Sequence, residues 1–377
     1  VSADAAPAAL RVEDLRVAFD TRDGLLQAVD GISFAVAPGR TLGIVGESGS
    51  GKTVAAMTAM GLVRGARTRV SGRVLLDGED LLAASPTRLR ELRGDAIAMV
   101  FQDPLSALHP LLRVGAQIEE AVRAHRSVSR AAARARAVEL LERVAIPHAR
   151  RRVDAYPHEL SGGMCQRATI AMALANEPRV LIADEPTTAL DVTVQKQILA
   201  LLRRLRDELD MATVLIAHDL GVVAETADEV AVMYAGRIVE QAPAAELFAT
   251  PQHPYTWGLL RSMPRLDAPP GAALVPIPGR PPSLVQPPSG CRFHPRCAYV
   301  RERHREVDPA LQRVSDAPAH SVACLLSEPE RRAIWARLAA GATPEQARAA
   351  IAPSGDPGRA AAADRGAGGR ASGEDSA

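Results

Sequence analysis

The chain has 377 residues, 24% of them charged, with a formal net charge of +1. That near-neutral balance gives no polyanion or membrane-surface signal, and the length fits one large α/β domain with something smaller beside it. No apolar run approaches the ~18–20 residues a membrane helix needs, and residues 1–9 lack the basic start and apolar core of a secretory signal.

Residues 1–9 are small and Pro/Ala-rich and read as disordered. From Leu10 to Val36 apolar residues alternate with polar ones (Leu10, Val12, Val17, Phe19, then Ile32, Phe34, Val36), which predicts strands of an antiparallel sheet. The apolar run Leu42-Gly43-Ile44-Val45 reads as a buried strand. It leads into Gly46-Glu47-Ser48-Gly49-Ser50-Gly51-Lys52-Thr53, a complete GxxxxGK[ST] phosphate-binding loop, and a helical stretch leads out. Glycines let the backbone curl so that N–H groups face a phosphate at the positive end of a helix. Lys52 can neutralise β/γ oxygens and the Thr53 hydroxyl can ligate Mg2+.

Val70 to Gly78 looks like a further strand pair or edge. Ile97 to Phe101 is strand-like and is followed by Gln102, whose amide suits a Mg2+ or water contact. Residues 115–145 are mostly helical, with Ser129 as a cap for a helix from Arg130 to Ala145. Ser161 is a good N-cap for a helix running to about Asn176. Gly162 and Gly163 after it leave the helix N–H groups uncovered, so this start is either a second anion site or an ordinary capped helix.

Val180 to Ala183 is a buried strand ending in Asp184 and Glu185. The first carboxylate can hold Mg2+ through water. The second points elsewhere and can orient and deprotonate an attacking water. A helix from Thr193 to Leu209 carries one apolar stripe, and the buried strand Thr213 to Ala217 ends at His218, an imidazole that could sense a γ-phosphate or could serve as a structural hydrogen-bonder. Strands alternating with helices imply a mainly parallel, helix-covered sheet.

The order GESGSGKT, Gln102, LSGGMCQR, VLIADEP, Ala189-Leu190-Asp191 and His218 resembles the ATP-binding subunit of ABC transporters over residues 10–250. The resemblance implies an α/β, ABC-type P-loop ATPase with an antiparallel β subdomain and a helical subdomain. It makes Gly46–Thr53 the Walker A loop, Gln102 the Q-loop, and Ser161, Gly162, Gly163 and Gln166 the signature that meets ATP on another chain. Asp184 becomes the Walker B aspartate, Glu185 the catalytic base, Asp191 part of the D-loop and His218 the switch histidine. Phe19 matches the aromatic that stacks on adenine, and is alternatively a core residue of an alternating strand. Met164 stands where many members have Gln, a variant found in the peptide-importer branch.

Three further segments resemble the oligopeptide/dipeptide importers: Phe101–Pro110, Tyr156-Pro157-His158-Glu159 and His253-Pro254-Tyr255-Thr256. That branch carries a C-terminal extension ending in a Cys-rich loop, which in many members holds a [4Fe-4S] cluster. Here residues 251–330 are Pro-rich and hold Cys291, Cys297 and Cys324 within 34 residues. His304 stands where the family has its third Cys. The set Cys291, Cys297, His304 and Cys324 therefore points to a [4Fe-4S] cluster, to Zn2+ as a Cys3His site, or to no metal, with His294 and His320 as rival ligands. Cys165 is a plain small residue. Residues 331–352 read as a short helical segment, and 353–377 have no large apolar residue and read as a disordered tail.

The resemblance implies an ATPase powering uptake of peptides, or of peptide-like or nickel substrates, with ATP and Mg2+ as cofactors. Its implied partners are two membrane-spanning permease subunits, a second and related ATPase subunit and, indirectly, an extracytoplasmic substrate-binding protein, at the cytoplasmic face of the membrane. The alternative is a non-transport ABC ATPase acting on DNA or ribosomes. Such proteins usually carry a coiled-coil insertion or a second ATPase half, and neither these nor a basic stripe for nucleic acid is present.

Overall fold

The computed structural model describes residues 8–188, 190–263 and 276–349. The chain divides into two units, one running to Leu325 and one from Leu326. In the first, alternation does what the sequence predicts. Strands β1 (Leu10–Thr21) and β2 (Gly24–Val36) pair antiparallel. They bury Leu10, Val12, Leu15 and Val17 on one and Ile32, Phe34 and Val36 on the other. The buried set of β1 skips a residue after Val12, where Asp14 takes φ 42° and the pairing register shifts; this bulge keeps Leu15 and Val17 on the core face.

Four buried strands follow the period of a covered parallel sheet: β3 (Thr41–Val45), β6 (Ile97–Val100), β7 (Val180–Asp184) and β8 (Ala212–Ala217) are buried along their whole length. Between them in sequence, β4 (Thr68–Leu76) and β5 (Glu79–Asp80) complete the antiparallel sheet in the order β2-β1-β4-β5. Strands β9 (Glu229–Tyr234), β10 (Arg237–Pro243), β11 (Gln312–Val314) and β12 (Ala317–Val322) belong to the second sheet, ordered β11-β12-β10-β9-β3-β8-β7-β6. Pairing is parallel from β9 across to β6 and antiparallel at β10, β12 and β11. The expected mainly parallel sheet thus carries an antiparallel edge. Two of its edge strands come from beyond residue 250, so the extension continues the sheet of the ATPase region.

The helix Lys52–Ala59 packs Ala55, Ala56 and Ala59 into the core shared by both sheets. The helices Val114–His125, Arg130–Arg143 and Gly162–Ala173 form the helical region. The second starts as predicted, with Ser129 Oγ accepting from the Ala132 N–H at 3.2 Å, but stops at Arg143 because Ala145 turns to φ 57°. The helix Val192–Leu209 buries Ile198, Leu199, Leu201, Leu202 and Leu205 on one stripe.

The extension has more core than its composition suggests. The chain is only 3% aromatic, yet Tyr255, Trp257, Phe293 and Tyr299 are all buried there. Tyr255 and Phe293 pack on Tyr234 at the end of β9, with ring centroids 4.6 and 5.2 Å away. Beyond Leu325, the helices Glu328–Ala339 and Pro344–Arg348 each open on a capping box, Ser327 with Glu330 and Thr343 with Gln346.

Candidate nucleotide site

The buried strand β3 delivers the phosphate loop to the end of the sheet. Gly51 closes the loop with φ 101°, and a Cβ there would lie 2.2 Å from the Ala28 carbonyl, so only glycine lets the loop pass β2 this closely. Lys52 is 5% exposed, and its Nζ donates to the carbonyls of Gly46 at 2.7 Å and Glu47 at 3.0 Å. Burial lowers the pKa of this ammonium, opposed by the charges of Glu185, Asp184 and Glu47. Ser48 and Gly49 at the loop tip and Thr53 at the helix start are exposed, while Ser50 is buried.

Strand β7 lies next to β8, which lies next to β3, and this brings its acidic end to the same place. The Thr53 hydroxyl donates to Asp184 Oδ1 at 3.2 Å. Asp184 is 2% exposed, and burial raises its pKa against the pull of Thr53 and Lys52. A buried carboxylate beside a threonine hydroxyl and a phosphate loop fits Mg2+, a hard cation that takes oxygen ligands.

Glu185 leaves the strand with φ 46°, an unusual conformation for a bulky residue, fixed by its N–H donating to the Ile216 carbonyl at 3.0 Å. That turn separates the two carboxylates. Glu185 Oε2 then accepts from Gln102 Nε2 at 2.9 Å and Thr188 Oγ1 at 3.0 Å, with His218 Nδ1 at 3.5 Å. Sequence reading named Gln102 and His218 for this site but missed Thr188, whose position three residues after Glu185 was the available signal.

The signature lies on the helical region. Ser161 caps its helix, accepting from the Met164 N–H at 3.3 Å, and both Ser161 and Gly162 are exposed. A Cβ on Gly163 would meet Val194 Cγ1 at 2.7 Å, so this glycine lets the signature helix pack closely on the helix Val192–Leu209. Gln166 departs from expectation. It is 1% exposed and lies inside the helical region, under the motif rather than on its outer face. Asp191 caps the helix Val192–Leu209, accepting from the N–H groups of Thr193 and Val194. Ala189 of the expected D-loop lies outside the described residues, as do the expected disordered tail from 353 and most of the N-terminal stretch. Phe19 on β1 is half-buried, opposite Leu26 of β2, and packs against the core.

Comparison with known proteins agrees with this geometry. The ABC transporter family matches residues 29–188, and the family described as "Oligopeptide/dipeptide transporter, C-terminal region" matches residues 239–303. The oligopeptide transport ATP-binding protein OppD of Bacillus subtilis (strain 168) is 49% identical over 324 residues, spanning 85% of this chain and 89% of that protein. The chain is an ATP-binding subunit of the oligopeptide/dipeptide ABC transporter family. OppD of Escherichia coli (strain K12) is 50% identical over 297 residues, or 79% of this chain and 88% of that protein. Among solved structures, the ATP-binding cassette MJ0796 bound to ADP and Pi aligns with a TM-score of 0.57 at 26% identity, over 62% of this chain and 98% of that one. The structure of cbiO1 from Clostridium perfringens aligns with a TM-score of 0.55 at 31% identity, over 65% and 92%. As an ABC ATP-binding cassette the protein binds and hydrolyses ATP. The non-transport alternative has no support among these relatives. Among the described residues, no helix is long and apolar enough to cross a membrane.

The expected metal centre is not assembled. Among the described residues no group of three or more His, Cys, Asp or Glu side chains is arranged to hold a metal ion. Cys291 and Cys297 are buried thiols, and burial raises the pKa of Cys291, favouring its protonated form. The Cys291 N–H donates to the His304 carbonyl at 2.9 Å, so these two positions meet through backbone. The His304 ring is buried, with Nδ1 accepting from the N–H of Arg301, just before the short helix Arg303–Glu306. Rival His320 lies elsewhere, its Nε2 2.8 Å from the buried carboxylate of Glu240. Neither the Cys3His nor the [4Fe-4S] expectation is supported by this arrangement of the described residues.

Proposed function

We propose that this chain powers uptake of peptides or peptide-like substrates by closing on ATP together with a second, related ATPase subunit. The observation that carries the reading is the meeting of Thr53 with Asp184 and of Gln102, Thr188 and His218 with Glu185, at the mouth of one phosphate loop. Lys52 and the loop N–H groups bind the phosphates, and Phe19 stacks on adenine. Thr53, Asp184 and Gln102 hold Mg2+, which when bound neutralises charge on the β/γ oxygens. Glu185 takes the proton of the attacking water. Gln102 and His218, which meet at Glu185, link the state of that carboxylate to the helical region and to the end of β8.

The exposed start of the signature helix, Ser161 and Gly162, serves the nucleotide of the other subunit, with Asp191 nearby in sequence. Peripheral attachment to two permease subunits at the cytoplasmic face is supported by large apolar side chains left exposed beside the Gln102 loop. Among them are Phe101 at 43%, Leu105 at 59% and Leu111 at 78% exposure. An extracytoplasmic binding protein would then select the cargo, and nucleic acid has no part.

Ser161→Arg tests the shared site. It places a long cation over the exposed helix start without touching this chain's own phosphate loop. ATP affinity of the isolated chain should stay within about twofold of wild type, while ATPase activity of the assembled transporter falls at least about tenfold. Wild-type turnover in the assembled complex carrying this change would contradict the shared-site reading.

A further inference from the structure

Glu47, the second residue of the phosphate loop, sends its side chain away from Lys52 and into the C-terminal extension. Both of its carboxylate oxygens are taken by one guanidinium. Arg296 Nη1 donates to Oε2 at 2.7 Å and Nη2 to Oε1 at 3.0 Å, the two-bond fork that fixes both position and direction. Arg296 is itself rigid. Its side chain is 5% exposed, its Nε donates to the Pro278 carbonyl at 2.8 Å, and the guanidinium lies 5.8 Å from the Tyr234 ring centroid. A second anchor comes from the same extension. The Glu47 N–H donates to the Tyr255 hydroxyl at 2.8 Å, and Tyr255 is fully buried in the aromatic cluster. The remaining polar group of Glu47, its carbonyl, receives Lys52 Nζ. Every polar group of this loop residue is thus held, two of the three by residues more than two hundred positions away.

We infer that Arg296, seconded by Tyr255, is a positioning residue for ATP binding: the extension sets the phosphate loop and masks a negative charge beside the triphosphate. Without Arg296, the Glu47 carboxylate stands uncompensated next to the site of a polyanion and is free to swing toward Lys52. Both effects weaken ATP. In sequence Arg296 lies between Cys291 and Cys297, and nothing local marks its partner 249 positions away. The inference rests on the reading of the loop as the nucleotide site.

The test is a double-mutant cycle of Arg296→Met and Glu47→Gln, measuring equilibrium binding of Mg-ATP to the full chain and KM for ATP in the assembled transporter. Arg296→Met should weaken ATP about tenfold, mainly in KM rather than kcat. In the Glu47→Gln background the same change should cost less than about twofold, because no charge is left to mask. An equal loss in both backgrounds would mean a merely structural arginine and overturn the inference, as would no loss in either. Should Arg296→Met fail to fold, Tyr255→Phe keeps the ring and removes only the hydroxyl. It should weaken ATP by about threefold, less than loss of the charged fork, and wild-type affinity there would count against the extension's role. Lys52→Ala run alongside separates the two readings. If it too binds normally, the nucleotide site is wrong; if it alone loses ATP, only the present inference fails.

Discussion

Glu185→Gln lowers the ATP turnover of the assembled transporter by about 10²–10⁴-fold, the range a positioned general base contributes, while ATP still binds. The substitution is nearly isosteric. Its amide oxygen can keep accepting from Thr188 Oγ1 and Gln102 Nε2, so the φ 46° turn and its neighbours need not move. What is lost is the ability to take a proton. Thr53, Asp184 and Lys52 do not contact this side chain through hydrogen bonds, so the phosphate and Mg2+ contacts proposed for them should persist. The expected signature is therefore a fall in kcat with nucleotide affinity preserved, and accumulation of a closed, ATP-loaded pair of subunits. The measurement is steady-state hydrolysis with the partner ATPase's own site also disabled. Normal turnover under that condition would remove Glu185 from the role of base.

The candidate nucleotide site was legible because its parts are local in sequence. A phosphate loop, a strand-end acid pair and a strand-end histidine each carry their own signal, and parallel strand order β3-β8-β7 then brings them together. The antiparallel sheet was legible for the same reason, since Leu10, Val12, Ile32 and Phe34 announce a period of two. What sequence could not reveal depends on distant partners. Strands β9 and β10 carry a local signal, the apolar run Val230–Tyr234 followed by Ala235-Gly236 and Ile238-Val239, which is a hairpin pattern. Strands β11 and β12 carry little, because β12 is held by pairing onto β10 and β11 by pairing onto β12. Burial of Gln166 is likewise tertiary: inside a motif, it looks like its exposed neighbours. The cysteine spacing permits a metal set, but whether ligands converge is decided by tertiary placement of the side chains, and among the described residues no such group is assembled.

The extension also changes how the ATPase region holds together. Glu240 on β10 is fully buried, and its carboxylate accepts from the N–H groups of Gln252 at 2.5 Å and His253 at 3.0 Å. His253 caps the helix Pro254–Arg261, accepting from the Tyr255 N–H at 3.1 Å. The His-Pro-Tyr segment is thus fixed from β10 on one side and, through the Tyr255 hydroxyl, reaches the phosphate loop on the other. A continuous run of contacts joins β10, the extension and Glu47.

Lys52→Ala has a different signature from Glu185→Gln, because it removes affinity rather than chemistry. In the structure Lys52 Nζ is held by two carbonyls of its own loop, a buried cation whose pKa is lowered by desolvation and supported by Glu185, Asp184 and Glu47. A triphosphate brings several negative oxygens to the mouth of that loop, so binding gives this ammonium the partner its burial lacks. A hydrogen bond to a charged group contributes about 1.5–3 kcal/mol, and each 1.4 kcal/mol is about tenfold in Kd. Losing the cation should therefore weaken Mg-ATP by about 10- to 100-fold in equilibrium binding. Lys52→Arg should not restore it, since a broad planar guanidinium does not fit where a compact ammonium touches both Gly46 and Glu47 carbonyls. Turnover at saturating ATP is the secondary readout, and the primary one is Kd. Equilibrium binding equal to wild type would show that phosphate is held elsewhere, and with it the assignment of this loop would fall.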